Sequence, residues 1–196
     1  MARDISKYII NGARYLSVTE VLSFSGWSNY SQVDPTVLAR AGERGHLVHA
    51  ATEDIDLGVY EPDKLREDLQ PYVDAFMRFK AETDYHPIEV ETVVHDQVLQ
   101  YDGQLDRIGM LDGKLTVLDV KTSQSRKPEW GLQLAAYAKA CGRDIQKRVA
   151  LRLGLGFYEI DTFNSPHDFQ RFVDALHVVQ AQVELGAIEI PMPEAA

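Results

Sequence analysis

GQLDRIGMLDGKLTVLDVKT, residues 103–122, is the stretch that decides the predicted fold of this chain. Asp112-Gly113 lies near its centre, and an Asp-Gly pair tolerates the positive φ angles that a two-residue β-hairpin turn requires. The runs on either side are rich in Leu, Ile and Val, so the stretch predicts two antiparallel strands. If the residues that flank the turn pair first, the register places Asp106 directly opposite Asp119.

Two aspartates that face each other across a sheet repel, because their Cβ atoms lie only about 4.5–5.5 Å apart. Lys121 shares their face, two residues beyond Asp119. A divalent cation between the carboxylates would relieve the repulsion; the alternative is an accidental polar patch on an exposed strand. Both faces of the hairpin carry apolar residues. Those on the face of the charged residues are Ile108, Met110, Leu115 and Val117, and those on the other face are Leu105, Leu118 and Val120. A sheet of this kind is typically covered, and buried charges must be paired or metal-bound, which favours the cation.

The composition is that of an ordinary globular domain, and the chain of 196 residues is long enough for one domain with a real core. Its single cysteine, Cys141, cannot form an internal disulfide or hold an iron–sulfur cluster, and it fits a reducing setting. No apolar run approaches the ~20 residues of a membrane span, and the first residues lack the apolar segment of a secretory signal. We therefore expect a cytoplasmic protein with no membrane partner.

The charge is unevenly distributed along the chain. The net charge is −10, yet residues 121–152 carry eight basic residues and only two acidic ones. A basic segment that begins at the carboxylate pair indicates a polyanionic substrate held locally. The alternative is an ordinary solvated face, which composition alone favours.

A long helix is predicted before the hairpin. Asp34-Pro35 is a strong helix start, and Gly58 would end the helix. Within it, Gly45, His49 and Glu53 are spaced four apart and share one face. A lone helical histidine is more often a satisfied surface or core residue, so the spacing leaves a role for His49 in the site open.

The remaining turn, cap and periodicity signals predict an α/β chain. The predicted elements are a small hairpin at 8–16, helices at 17–26, 62–69, 70–84, 128–142 and 165–186, and strands at 87–99, 146–153 and 156–163. We expect a single domain, 1–196, made of a mainly helical part (1–84), a catalytic sheet and helix (85–163), a C-terminal helix (164–186) and a tail (187–196).

The predicted carboxylate pair has a definite chemistry. Aspartate oxygens are the ligands that Mg²⁺ and Mn²⁺ prefer, and such ions keep water molecules that can act as nucleophiles. Lys121 could orient that water or neutralise a phosphate in the transition state. His49 would add a nitrogen ligand, which favours Mn²⁺ somewhat. The reaction class is metal-assisted hydrolysis of a phosphodiester.

These motifs, taken in order, carry a family resemblance. The set comprises Gly45-x3-His49-x3-Glu53, Gly103-x2-Asp106, Asp119-x-Lys121-Thr122 and Gln133-x3-Tyr137. It resembles the PD-(D/E)XK nucleases, and within them the RecB-like exonuclease branch. Ser17-Val18-Thr19 and the position of Glu91, before Asp106, are similar to the mitochondrial genome maintenance exonuclease and its phage and bacterial relatives.

The resemblance implies a restriction-endonuclease-like core, with a mixed central β-sheet flanked by helices and a helical N-terminal portion. It implies roles for the following residues: His49, Asp106, Asp119 and the Val120 carbonyl as ligands of Mg²⁺ or Mn²⁺, Lys121 as the catalytic lysine, Glu91 as an auxiliary acid, and Gln133 and Tyr137 as contacts to the DNA backbone or supports of the site. The basic segment then resembles a DNA track, with Ser123, Arg126 and Lys127 nearest the metal.

The function that the resemblance implies is a metal-dependent DNA exonuclease acting on DNA ends, often single-stranded. Relatives with an iron–sulfur cluster use four cysteines, so that subgroup is excluded. A helicase, an annealing protein or a polymerase would be a separate partner protein. The alternatives are a double-strand recombination exonuclease, a structure-specific endonuclease of the same fold, or a DNA-binding module that has lost catalysis. Intact Asp106, Asp119 and Lys121 argue against the last.

Overall fold

The structure, a computed structural model, describes residues 9–10 and 13–190, and side chains from residue 14 onward. Its helices are α1 (Val18–Phe24), α2 (Pro35–Leu57), α3 (Gln70–Glu82), α4 (Glu129–Ala140) and α5 (Asp168–Glu184). Its strands are β1 (Ile9–Ile10), β2 (Ala13–Arg14), β3 (Leu16–Ser17), β4 (His86–Asp96), β5 (Tyr101–Leu111), β6 (Lys114–Lys121), β7 (Lys147–Leu153) and β8 (Tyr158–Thr162). The predicted turn at Asn11-Gly12 and the end of the tail, 191–196, lie outside the described residues.

A mixed sheet of six strands forms the centre of the molecule. The strands run β4-β5-β6-β7-β8, and β3 pairs with the beginning of β5. Because β4 occupies one edge of β5 along most of its length, β3 and β6 share the other edge and leave a gap between them. The β5–β6 and β7–β8 pairs are antiparallel, and the β6–β7 pair is parallel through the crossover helix α4. This is the mixed central sheet that was predicted.

The predicted hairpin register is confirmed. Strand β5 pairs with β6 from Leu111–Lys114 to Arg107–Leu118. Asp112 and Gly113 have φ angles of 53° and 66°, as the predicted turn requires. The turn chemistry has therefore fixed which residues meet across the two strands.

The regular alternation of side chains breaks at Asp106. Leu105 packs in one core with Ile108 and Val117, whereas the side chain of Arg107 reaches α2 on the other face of the sheet. The prediction that Leu105 shares a face with Leu118 and Val120 is therefore wrong. A strict period of two holds only for a regular strand, and β5 is irregular where its ladder with β6 ends.

Two apolar cores cover the two faces of the sheet. The first contains residues of α1, α4 and α5 and is built around Tyr101, Leu105 and Phe172. The second contains residues of α2 and α3, among them Val48 and Phe76, packed on Leu118 and Val120. The hairpin is thus covered on both sides, as its apolar composition indicated.

The helix boundaries follow their capping residues. Ser17 and Glu20 form a capping box at the start of α1, and α2 begins after Asp34 and ends at Gly58 in the left-handed conformation. The predicted helix at 62–69 is wrong, because this segment forms two short 3-10 turns, Pro62–Lys64 and Glu67–Leu69. So short a segment with a single buried side chain, Leu69, lacks the packing that sustains a helix. Within the described part of the chain, no helix combines the length and apolar character needed to cross a membrane.

Candidate metal centre

Asp106 lies in the gap where the β5–β6 ladder ends. Its Oδ2 accepts a hydrogen bond from the backbone N–H of Val120 at 2.7 Å. The carboxylate thereby takes the place that a backbone carbonyl would occupy in a continued ladder. This contact holds Asp106, which is 7% exposed, against the residue that follows Asp119.

Glu91 lies across from Asp106 in the register of β4 on β5, and the β4 backbone is distorted at this residue. The β4 ladder runs from the Val90–Arg107 pair directly to the Thr92–Leu105 pair, and Glu91 between them has a φ of +51°. A residue other than glycine in this conformation costs about 1–3 kcal/mol, and such strain is concentrated at functional sites. The strain therefore supports a functional role for the Glu91 carboxylate.

The Glu91 carboxylate is held by two side chains of β5. Gln104 Nε2 donates to its Oε2 at 2.6 Å, and Arg107 Nη1 donates to its Oε1 at 3.3 Å. Both contacts fix the direction of the carboxylate, which keeps 21% of its side-chain surface exposed. The acid is therefore oriented but still accessible.

His49 reaches the same point from helix α2. Its Nδ1 lies 3.2 Å from Asp106 Oδ2. The neighbouring Val48 is fully buried in the second core and anchors this turn of the helix. Ligand atoms of His49, Glu91 and Asp106 all lie within 4.8 Å of one another, close enough to bind one ion.

Asp119 and Lys121 form an ion pair beside this cluster. Lys121 Nζ lies 2.5 Å from Asp119 Oδ2 and donates to Gln133 Oε1 at 2.9 Å. The ammonium also lies 5.7 Å from the centre of the Trp130 ring. Lys121 is thus held at the end of β6 by contacts from α4.

Gln133 and Tyr137 lie behind Lys121 rather than on the surface. Gln133 Nε2 donates to the Tyr137 hydroxyl at 3.1 Å, and both residues are buried. Tyr137 packs on the backbone of Gly103, where a Cβ would lie 2.5 Å from its ring. Of the two predicted roles, contact to DNA or support of the site, this geometry favours support.

Burial and mutual charge set the pKa values in the cluster. Burial raises the pKa of Asp119, and the charge of Asp106 raises it further. Burial by itself would also raise the pKa of Asp106. The positive charges of His49 and Lys121 outweigh burial, so the pKa of Asp106 is lowered. Burial followed by the charge of Asp106 raises the pKa of Glu91 to about 7.

The two basic groups retain their protons. Burial lowers the pKa of His49, but the charge and hydrogen bond of Asp106 outweigh it and raise that pKa to about 9. Burial likewise lowers the pKa of Lys121, and the charges of Asp119 and Asp106 raise it above its ordinary value. A protonated His49 occupies the place where a cation would be bound.

The residues fit a hard divalent cation. Two carboxylates and one imidazole converge, and oxygen ligands with a single nitrogen suit Mg²⁺ or Mn²⁺. Three acids, Glu91, Asp106 and Asp119, face two permanent cations, Lys121 and Arg107, and one histidine. Such an excess of buried negative charge is stabilised by a bound cation.

The structure brings His49, Glu91 and Asp106 together, while the Asp119 carboxylate faces Lys121. Val120 contributes its backbone N–H to Asp106. The three predicted DNA-track residues, Ser123, Arg126 and Lys127, lie in the loop between β6 and α4. There, Ser123 donates to the Ser125 carbonyl, Arg126 stacks on Phe163 at 4.2 Å and Lys127 lies 4.4 Å from the Tyr30 ring.

Sequence reasoning missed the buried ion network behind the cluster. Arg107, with no exposed surface, donates to Asp56 Oδ2 at 2.8 Å and to the Asp106 carbonyl at 2.8 Å. Lys80 lies 2.5 Å from the other oxygen of Asp56. The signal was an arginine beside Asp106, inside a hairpin that was predicted to be covered on both faces. Such a residue must find a buried acid, but the strand alone does not identify which one.

Comparison with known proteins identifies the fold. A family model of the PD-(D/E)XK nuclease superfamily matches residues 31–185. The crystal structure of SSO0001 matches with a TM-score of 0.51 and 16% sequence identity. The match covers 87% of this chain and 75% of that chain. An alkaline exonuclease from Laribacter hongkongensis, LHK-Exo, has a crystal structure that matches with a TM-score of 0.50 and 13% sequence identity. The match covers 88% of this chain and 89% of that chain. None of the curated proteins compared matches this chain. The predicted α/β fold of restriction-endonuclease type is confirmed.

Proposed function

Because this chain belongs to the PD-(D/E)XK nuclease superfamily, we propose that it is a Mg²⁺- or Mn²⁺-dependent DNA exonuclease of the RecB-like branch. The observation that carries the proposal is the convergence of His49, Glu91 and Asp106 within 4.8 Å, beside the Lys121–Asp119 ion pair. A cation at this site could activate a water molecule for hydrolysis of a phosphodiester, and the neighbouring ammonium could stabilise the charge that develops on the phosphate.

In this proposal, His49, Asp106, Asp119 and the Val120 carbonyl hold the metal, and Glu91 is an auxiliary acid. The close grouping of Glu91 with His49 and Asp106 supports a direct part for Glu91 in holding the ion. A bound Mg²⁺ or Mn²⁺ supplies an activated water molecule and neutralises phosphate charge.

Lys121 then acts on the reacting groups. Its ammonium donates hydrogen bonds to the attacking water or to a phosphate oxygen, and so stabilises charge as it develops. Gln133 and Tyr137 position Lys121 from α4. Hydrolysis forms a bond from the water oxygen to phosphorus and breaks one ester P–O bond, whose oxygen leaves as an alcohol.

The substrate part of the proposal is DNA ends, with a preference for single strands. It rests on the ordered motif set and on the basic segment that starts at Lys121. Ser123, Arg126 and Lys127 would contact DNA beyond the metal centre. An intracellular, bacterial or phage-encoded enzyme with a helicase, annealing protein or polymerase as partner suits such a substrate.

We also propose that residues 1–196 form one nuclease domain, with the divisions given above. The long helix α2 of the N-terminal part supplies His49 to the catalytic sheet, which supports this organisation. A single cooperative unfolding transition followed by both circular dichroism and tryptophan fluorescence would agree with it. Two separate transitions would contradict it.

The direct test is a time course with end-labelled DNA in Mg²⁺ and in Mn²⁺. Linear single-stranded and double-stranded substrates with free or blocked ends are compared with circular ones. We expect metal-dependent release of nucleotides from free ends, fastest on single strands, and no cleavage of circles.

The other outcomes separate the alternatives. Cleavage of circles would indicate a structure-specific endonuclease, and a clear preference for duplex ends would indicate a recombination exonuclease. Binding of DNA without cleavage in either metal would indicate an inactive DNA-binding module and would contradict the proposal.

A further inference from the structure

A cavity of about 450 Å³ lies between α4, α5 and the loop that follows α1. Trp27, Arg126 and Arg171 line it, together with the apolar side chains of Leu132 and Phe163. We propose that this cavity is a nucleotide-binding subsite, which stacks one base of the DNA strand and holds its phosphate. The inference rests on the proposed nuclease function and extends it to a place outside the metal centre.

The aromatic wall suits a base. Trp27 is 40% exposed, whereas the chain's other tryptophan, Trp130, is only 5% exposed. Exposed aromatic rings beside a basic groove are the usual platforms for single-stranded DNA, because every base has a face that can stack. The cavity is also within the size range of small-molecule sites. An accessible indole at its rim therefore indicates a flat ligand.

The charged wall suits a phosphate. Arg126 stacks on the Phe163 ring and donates to the Thr162 carbonyl, so its guanidinium is held at the edge of the cavity. Arg171 keeps 51% of its side-chain surface exposed. Asp168, the acid of the cavity, is ion-paired with Arg148 at 3.2 Å and with Arg171 at 3.7 Å. A guanidinium group has five N–H donors, so Arg171 beyond this ion pair and Arg126 beyond its carbonyl contact can still donate to an anion.

The cavity lies within reach of a strand held at the metal centre. Arg126 follows Lys121 by five positions in the chain, so their Cα atoms can be no more than about 18 Å apart. At the duplex spacing of about 3.4 Å per nucleotide, this distance corresponds to about five nucleotides. Lys127, stacked on Tyr30, lies in the same loop next to Arg126 and continues the basic path.

The test measures binding of single-stranded DNA of about 12 nucleotides in EDTA, so that no cleavage occurs. Trp27→Ala should weaken binding about tenfold or more, the usual effect of losing one stacked base. Arg171→Ala should weaken it and also lower the salt dependence, by about 0.7 in the slope of log K for one lost phosphate contact. Trp27→Ala should leave that slope unchanged.

Three controls keep the test specific. Arg78→Ala removes an arginine of matched exposure, 52%, from α3 on the other face of the sheet, and should not change binding. Trp27→Phe retains an aromatic ring and should restore most of the affinity. An abasic strand of the same length, which keeps its phosphates but has no base to stack, should bind Trp27→Ala as it binds the unaltered protein.

Tryptophan fluorescence gives a readout that does not depend on cleavage. DNA binding should quench the tryptophan fluorescence of the unaltered protein, and this decrease in fluorescence should largely disappear in Trp27→Phe. Affinities of Trp27→Ala and Arg171→Ala within twofold of the unaltered protein, in folded samples, would overturn the subsite. Failure of the nuclease proposal has a different signature, since the unaltered protein would then cleave no DNA in either metal.

Discussion

Two charged clusters in this molecule are built from the same two elements, helix α2 and strand β5. One contains His49 and Asp106, and the other contains Asp56 and Arg107, seven residues further along the helix and one residue further along the strand. In the second cluster, both oxygens of Asp56 face a cation, Lys80 at 2.5 Å and Arg107 at 2.8 Å. In the first cluster, the three acids Glu91, Asp106 and Asp119 face two permanent cations, Lys121 and Arg107, and Arg107 is shared with Asp56. We infer that the excess of negative charge, rather than burial, distinguishes the metal centre from the structural network.

The sharpest test of this comparison removes the ammonium or its acid from the metal centre. Lys121→Ala or Asp119→Ala should reduce cleavage by about 10²–10⁴-fold, the usual contribution of a positioned catalytic group. Circular dichroism and thermal melting should show folding retained. Metal-dependent cleavage at the original rate in either purified variant would refute the assignment.

The matching substitution in the structural network should affect stability instead. Asp56→Ala leaves Lys80 and Arg107 without their common acid, and breaking a buried ion pair costs about 3–5 kcal/mol. Urea unfolding measures the change. Asp54→Ala, at an exposed position two residues earlier on the same helix, is the control and should alter stability by about 0.5 kcal/mol or less. Equal effects of the two substitutions would mean that the network adds nothing.

Only the metal centre should respond to divalent cations. Mn²⁺ at about 100 times its Kd should stabilise the folded protein by about 2.7 kcal/mol. Asp106→Asn should abolish this gain, whereas Asp54→Ala should keep it. Calorimetric melts with and without Mn²⁺ give the measurement, and an unchanged gain in Asp106→Asn would place the ion elsewhere.

The metal-free protein should lose stability as pH rises. The pKa of His49 is about 9 in the folded protein against an ordinary value of 6.5. A raised pKa contributes stability that is fully present below 6.5 and is lost as pH rises through 9. Glu91, with a pKa of about 7 against 4.5, acts in the same direction between those two values.

The His49 contribution can be isolated by substitution. His49→Gln should flatten the fall in urea stability between pH 6.5 and pH 9. Mn²⁺ affinity should rise over the same window, because the ion displaces the His49 proton. A variant with the original pH profile would show that His49 does not carry the effect.

The smallest effect is expected at Cys141, which belongs to neither cluster. It caps the end of α4, and its thiol donates to the Ala138 carbonyl at 3.2 Å. Burial raises the pKa of the thiol, which disfavours the reactive thiolate form. Cys141→Ser can keep the same hydrogen bond, and cleavage should stay within about twofold of the original, because this half-buried residue lies outside both clusters. A large loss would reveal a role for the thiol.

Signals that are local in the chain were predicted well. The hairpin register followed from the turn at residues 112–113, and the ends of α2 followed from Asp34-Pro35 and Gly58. The shared helical face brought His49 into consideration, although a role in the site could not be decided from spacing. Turn chemistry and capping depend on backbone atoms a few residues away, so a short stretch contains all the information that they need.

The sequence by itself determined the hairpin and the motif order that indicates a nuclease, although the β5–β6 ladder ends at Arg107–Leu118, one pair before the predicted pairing of Asp106 with Asp119. Only the tertiary structure decided which acid meets which cation. The carboxylate of Glu91 is held beside Asp106 by Gln104 and Arg107, Asp119 is held by Lys121, and Arg107 is buried against Asp56. The partners of these charges come from elements far apart in sequence, 51 residues in the case of Asp56 and Arg107. Their pairing depends on how helices pack on the sheet, which no local pattern specifies.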